Sequence, residues 1–405
     1  MHVSPVMRPR PPGRRLFFSL DKEPQGSFFM SPAVLVVRTD PRDRDSSRSM
    51  LELPGLIDPH VHLREPGGTH KEDFGTGTVA ALAGGFTAVL AMPNTQPPLT
   101  DFASLELARS AARAKARCDY GLFLGAGEGN IAAASEFAPR VCGLKVYMDH
   151  TYGPLRMQSL PALIEHFTNW PGSRPIACHA EGHSLAVVLT LAHLFDRRVH
   201  ICHVSLAVEI DLIRRAKERG TQVTCEVTPH HLYLSHSDLP SLGTGRSEVR
   251  PRLASAGDVA ALWESLEVID CFATDHAPHT LQEKDGDEPP PGYPGLETAL
   301  SLMLGAVYEG RLSMDDLVLR MHTNPRRIFD LPPQPDTRIE VDQDHVWEVR
   351  GAEFHSRSGW SPFEGMKLRG RVRRVHLRGH LVYEDGQALA PPGYGRDLIS
   401  TSVPA

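Results

Sequence analysis

From Leu53 to about Asp330 the chain alternates short apolar runs with stretches whose apolar residues recur at helical spacing. No other feature restricts the fold as strongly. Eight runs read as strands: Leu51–His62, Phe86–Asn94, Cys118–Ala126, Val141–Met148, Pro175–Glu181, Val199–Ser205, Gln222–Pro229 and Ile269–Asp275. Helix-like stretches such as 101–117, 183–196 and 206–220 lie between them. Eight strands alternating with helices, over slightly more than the ~250 residues typical of that fold, predict an α/β chain built as a (β/α)8 TIM-type barrel. Two further helices are expected at 296–309 and 314–329, and then "RIEVDQDHVWEV" and "KLRGRVRRVHLRGHLVYEDGQ" read as β-strands. The expected organisation is a leader or linker over 1–50, disordered in part, a barrel over 51–335, and a small β appendage with a tail over 336–405. "AVLVVRTD" at 33–40 is a candidate strand through which the N-terminal segment would add to that appendage. Lys367, Arg369, Arg371 and Arg373 alternate along one strand face, which reads as a solvated face before a partner-binding patch.

Composition narrows the function classes. With 405 residues, 41% of them hydrophobic, the chain is long enough for a large core. A net charge of −6 gives no global basic field, so no nucleic-acid partner is expected. No apolar run approaches the ~20 residues that span a bilayer, so no membrane partner is expected. Nothing at the N-terminus reads as a secretory signal, and prolines spoil the amphipathic helix of a transit peptide. The six cysteines are scattered without a CxxC pair, which suits free thiols in a reducing, cytoplasmic setting.

Polar residues collect at the predicted strand ends. His60 and His62 are two apart on the first strand and so share a face, with Arg64 just beyond. The second strand ends in Asn94, the fourth carries Lys145, the fifth His179 and the sixth His203. The seventh carries Glu226, and the eighth Asp275 followed by His279. Only the third lacks a polar candidate. In a barrel these C-terminal ends converge on one mouth, where active sites are built. A lone buried histidine is more often a hydrogen-bonded core residue than a ligand, and a strand lysine more often snorkels to the rim. Four histidines, a lysine and an aspartate at one mouth are much harder to explain as core.

Imidazole with some carboxylate suits zinc. Two divalent ions close together need an anionic bridge, yet the fourth strand offers Lys145 rather than an acid. A neutral buried lysine amine adds carbon dioxide, and the carbamate acts as a long carboxylate. The expectation is therefore a carboxylated Lys145 bridging one ion held by His60, His62 and Asp275 to a second held by His179 and His203. A hydroxide between them would be the nucleophile.

With these residues assembled, the chain resembles the amidohydrolase superfamily, and within it the dihydroorotase domains of the animal multifunctional pyrimidine-synthesis proteins. The resemblance runs from about Leu53 to about Tyr394. It rests on "LIDPHVHLREPGGTHKEDF", "AMPNTQPP", "HICHV", "TCEVTPHHL", "CFATDHAPHT", "PPPGYPGLET" and "NPRRIFDLPPQ". It implies reversible cyclisation of N-carbamoyl-L-aspartate to dihydroorotate in pyrimidine biosynthesis, with Asp275 shuttling the proton. It also implies that Arg64, Asn94 and His279 bind the substrate carboxylate, with Arg250 and Pro291 as further contacts. A third zinc shared by His60, Cys202 and Glu226 is implied as well, as is a mobile loop "DHTYGPLRM" whose contact residue is Thr151. The partners it implies are a small-molecule substrate, a second copy through the barrel, and an assembly with carbamoyl-phosphate synthetase and aspartate transcarbamoylase. Two positions depart from the pattern. Pro59 gives the "DPH" found in hydantoinases, and Tyr152 stands where the family has phenylalanine, its added hydroxyl bearing on loop closure. The rival readings are a hydantoinase, dihydropyrimidinase or allantoinase, and a catalytically inactive relative acting as a scaffold.

Overall fold

A computed structural model describes residues 50–399. The chain enters through β1 (Met50–Pro54), passes Gly55, and continues as β2 (Leu56–Val61). Then come β3 (Phe86–Ala91), β4 (Asp119–Leu122), β5 (Leu124–Gly125), β6 (Leu144–Tyr147) and β7 (Ile176–His179). β8 (Val199–Ile201), β9 (Val223–Val227) and β10 (Cys271–Phe272) complete the series. β2, β3 and β4 pair in parallel as one arc, and β5 to β10 pair in parallel, in chain order, as a second. β4 and β5 occupy one strand position broken at Phe123, whose N–H donates to the Ala91 carbonyl at 3.0 Å. At the other seam the His62 N–H donates to the His276 carbonyl at 2.7 Å. Eight strand positions therefore close on themselves, as the alternation predicts. β2 and β3 are buried at every position, the signature of parallel strands covered on both faces.

Helices wrap the strands at Phe102–Lys115, His183–Phe195, Ala207–Glu218 and Leu296–Tyr308, within a few residues of their expected limits. The first is started by Asp101, whose carboxylate accepts from the Ser104 N–H. The helix expected at 314–329 is interrupted by a π turn at Leu319–Thr323, just ahead of Pro325, which has no N–H to continue the ladder.

The run Leu51–His62, read as one strand, is two. β1 pairs antiparallel with β11 (Arg338–Glu348), and only β2 enters the barrel. The chain changes sheets at Gly55, where a Cβ would lie 2.3 Å from Thr87 Oγ1. β11, β12 (Lys367–Leu377), β13 (His380–Glu384) and β14 (Gln387–Ala388) complete a five-stranded antiparallel sheet in the order β1-β11-β12-β13-β14. On β12 the cations are used locally. Arg369 pairs with Asp344 at 2.6 Å, Arg371 lies over Trp347, and Arg373 pairs with Asp342 at 3.0 Å. The candidate strand at 33–40 lies outside the described residues.

Candidate active site

The barrel delivers its polar residues to one end. His60 lies in β2, with His62 and Arg64 just beyond it, and Asn94 follows β3. Lys145 lies in β6, His179 ends β7, His203 follows β8, Glu226 lies in β9, and Asp275 follows β10. All are buried. Arg64, His203 and Asp275 have φ of 59°, 34° and 45°, a left-handed backbone that non-glycine residues adopt only when their surroundings hold them there. Such strain concentrates at functional sites.

Asp275 Oδ1 lies 3.0 Å from His62 Nε2 and 3.3 Å from His60 Nε2. The Nδ1 of His60 meets Glu226 Oε1 at 2.5 Å, and the Nδ1 of His62 meets Asn94 Oδ1 at 2.6 Å. Across the mouth His179 Nδ1 and His203 Nε2 are 3.0 Å apart, and the His60 and His203 ring centroids are 5.1 Å apart. Lys145 Nζ sits 2.9 Å from Cys202 Sγ. Two groups of three bring their donor atoms within 4.8 Å of one another: His60, His62 and Asp275, and His60, Cys202 and Glu226.

Four of these donors are in the charge states that a cation needs. Burial holds His62 down to about 4 and, with His179 beside it, pulls His203 far below the ordinary imidazole range, so both rings are neutral. Burial alone would raise Glu226 and Asp275. His60 and His200 instead hold Glu226 down to about 2, and His60, His62 and His203 hold Asp275 well below the usual carboxylate range. Nδ1 of His203 is buried without a hydrogen-bond partner. Neutral imidazoles, anionic carboxylates and an orphaned ring nitrogen packed this closely fit a divalent metal. The Cys202 thiol is pushed up by burial, so it would shed its proton only on binding a cation.

Beside this cluster a cavity of about 600 Å³ is lined by Arg64, Lys71, Asn94, Tyr152, Glu283 and neighbouring loop residues. Arg64 Nε donates to the Pro278 carbonyl at 3.1 Å, and its Nη2 lies 3.0 Å from His279 Nε2. That Nε2 is also 3.0 Å from the Pro291 carbonyl. Asn94 Nδ2 donates to the Tyr152 carbonyl at 3.0 Å. Tyr152 lines the cavity, with half-buried Thr151 beside it in the same loop. Arg250 instead pairs with Glu248 at 2.8 Å.

Sequence reasoning did not single out four participants. His200 grips the second oxygen of Glu226 at 3.0 Å, and Glu181 meets His179 Nε2 at 2.9 Å. Asp58 accepts from the Thr274 N–H and hydroxyl, locking β2 to the segment that carries Asp275. Lys71 is buried at the cavity wall. His200 adjoins the "CHV" run and Lys71 stands inside the quoted "GGTHKEDF", but the sequence alone does not show that either is buried.

Comparison with known proteins points to one family. A family described as dihydro-orotase-like matches residues 49–126. The chain is 55% identical over 356 residues to the multifunctional protein CAD of Squalus acanthias, covering 88% of this chain and 16% of that protein. It is 37% identical to the dihydroorotase of Pyrococcus abyssi over 84% of this chain and 85% of the relative. Among solved structures, the L-hydantoinase (dihydropyrimidinase) from Arthrobacter aurescens superposes with a TM-score of 0.82 at 26% identity, over 86% of this chain and 89% of that one. The inactive dihydroorotase-like domain of the Chaetomium thermophilum CAD-like multifunctional protein gives 0.74 at 31%, over 86% and 99%. The chain thus spans about a sixth of the multifunctional relative and most of the archaeal one. With the barrel, the clustered donors and the extent of the archaeal match, this chain belongs to the dihydroorotase family of cyclic amide hydrolases.

Proposed function

We propose that this chain is an active dihydroorotase, closing N-carbamoyl-L-aspartate to dihydroorotate and reopening it in pyrimidine synthesis. One observation carries the reading. Arg64 is a buried cation beside the donor cluster, and no carboxylate among the described residues lies within ion-pair distance of it. A desolvated guanidinium is costly unless it is paired, and a substrate carboxylate would pair it. Dihydroorotate has that carboxylate; a plain cyclic amide lacks it.

His60, His62 and Asp275 would hold one zinc ion, and His179 and His203 a second, with carboxylated Lys145 between them. His60, Cys202 and Glu226 would hold a third. Bound zinc lowers the pKa of water to about 7 and polarises a carbonyl. In ring opening the amide C–N bond breaks, the water oxygen adds to the carbonyl carbon, and Asp275 passes the proton to the ring nitrogen. Closure runs the same path backwards. Arg64, Asn94 and His279 orient the exocyclic carboxylate, with Pro291 and Arg250 as outer contacts and Thr151 closing from the loop. A homodimer through the barrel, membership of a larger synthetase–transcarbamoylase assembly and a cytoplasmic location complete the proposal.

The likeness to an inactive domain favours a scaffold as the second reading. The full donor set, with His62 and His203 neutral and Glu226 and Asp275 anionic, speaks for activity. The test is metal analysis together with ring-opening assays on dihydroorotate, hydantoin and allantoin. Opening of dihydroorotate alone, with at least two metal equivalents, is expected. Metal-loaded protein that opens none of the three would leave the scaffold reading.

A further inference from the structure

Lys71 has no role in the reading above, yet its surroundings are fully specified. Its side chain is 6% exposed, and an ammonium has three hydrogens and no acceptor. Three acceptors face it: Glu283 Oε1 at 2.9 Å, Tyr152 Oη at 3.1 Å and His279 Nδ1 at 3.1 Å. An ammonium can only donate, so His279 Nδ1 must be the unprotonated nitrogen. Burial, reinforced by Arg64, Lys71 and Lys284, holds the ring well below the ordinary imidazole range, so it carries a single proton, on Nε2.

Nε2 has two neighbours, the Pro291 carbonyl and Arg64 Nη2, each at 3.0 Å. Carrying the proton, it donates to Pro291 and cannot accept from Arg64. The guanidinium edge is thereby left with a hydrogen free to donate to an incoming acceptor, most strongly to an anion. In the opposite tautomer Nε2 would accept from Arg64 and cap it, and the internal bond would compete with the substrate. We propose that Lys71 is a positioning residue that holds His279 in its Nε2–H tautomer, so that the ring cannot cap Arg64 and the guanidinium edge stays free to donate to the substrate carboxylate. The same ammonium ties Tyr152, on the loop after β6, to that reader. Tyr152 thus gives its hydroxyl a partner that phenylalanine would lack. This inference rests on the reading of Arg64 and His279 as the carboxylate-binding pair.

The experiment compares wild type with Lys71→Met as full-length, metal-loaded protein. Long-range ¹H–¹⁵N spectra of the imidazoles, with His279 assigned from the spectrum of His279→Asn, report the tautomer directly. Steady-state ring opening of dihydroorotate reports KM and kcat. The expected result is an Nε2–H ring in wild type and an Nδ1–H ring in the variant. KM should rise about tenfold or more, the cost of one charge-assisted contact, while kcat changes far less. An Nδ1–H ring in wild type overturns the inference, as does a variant whose tautomer and KM match wild type. If Lys71→Met does not fold, the wild-type spectrum still decides. If wild type opens no dihydroorotate, the functional reading falls while the two spectra still judge the control of His279 by Lys71.

Discussion

Replacing Arg64 with alanine tests substrate recognition most directly. Arg64 is 5% exposed, so water does not compete strongly for its guanidinium. It makes one hydrogen bond to protein that does not depend on substrate, from Nε to the Pro278 carbonyl. Its Nη2 edge, beside His279, is the part that a carboxylate would use. A hydrogen bond to a charged group contributes roughly 1.5–3 kcal/mol, or about 10- to 150-fold in binding. Burial puts the expected loss toward the upper part of that range, on the order of 100-fold in KM for dihydroorotate. The bond to Pro278 is lost with every substrate, so its contribution, about 1.5–3 kcal/mol for a donor that is itself charged, is common to both assays.

The assay therefore needs two substrates. Ring opening of dihydroorotate is compared with that of dihydrouracil, which has the same cyclic amide without the carboxylate. Arg64→Ala should lower kcat/KM for dihydroorotate by about 100 times more than for dihydrouracil, because the loss at Pro278 is common to both substrates and only the carboxylate contact differs. Arg64→Lys should fall between, since an ammonium keeps the charge and loses the fork. An equal loss on both substrates would make Arg64 a structural support of the 276–280 segment and refute its role as reader.

Three further outcomes are expected. Lys145→Ala should lose at least one metal equivalent and most activity, with partial rescue by short carboxylic acids; full metal content measured by elemental analysis would remove its bridging role. Asp275→Asn should abolish opening and closure while dihydroorotate still binds by calorimetry, and in wild type closure should fall and opening rise as pH increases; unchanged pH profiles in the variant would exclude Asp275 as the proton carrier. Glu297, which accepts from the His355 and Ser356 N–H groups, is raised by burial to about 8 from an ordinary value of 4.5, so the folded state holds a proton that the unfolded state has released. Its stabilising contribution is whole below about 4.5 and falls as pH rises toward 8; urea midpoints should show this slope in wild type and a flatter one in Glu297→Gln, and equal slopes would contradict it.

The barrel was legible because parallel strands covered on both faces leave continuous apolar runs, and eight of them recur with helices between. The division of the first run into β1 and β2 was not legible. Met50 to Val61 is strand-like throughout, and what divides it is the pairing of β1 with β11 and of β2 with β3, a tertiary fact. The ligand cluster was legible because a parallel barrel brings strand ends together whatever their separation in sequence. Lys71 was not, because a lysine in a Gly-rich loop is ordinarily exposed; its burial depends on Glu283, Tyr152 and His279 arriving from two other loops. Asp58 was missed for a related reason. Its partner Thr274 is 216 residues away, and burial raises Asp58 to about 7 despite the bonds from Thr274.

The Asp58–Thr274 bond also bears on how the proposed substrate would be measured. Three of the candidate metal donors and the proposed carboxylate reader occupy the same two segments: His60 and His62 precede Arg64 on one, and Asp275 precedes His279 on the other. Both segments leave the barrel at a single seam, joined by Asp58 to Thr274 and by the His62 N–H to the His276 carbonyl. The seam therefore fixes the spacing between the donor cluster and the guanidinium. On the proposed reading, a substrate would present its carboxylate at that spacing from its scissile amide, which would make the pair of segments a ruler as well as a binding site. Loss of Arg64 or His279 would remove the ruler and leave the donor cluster intact.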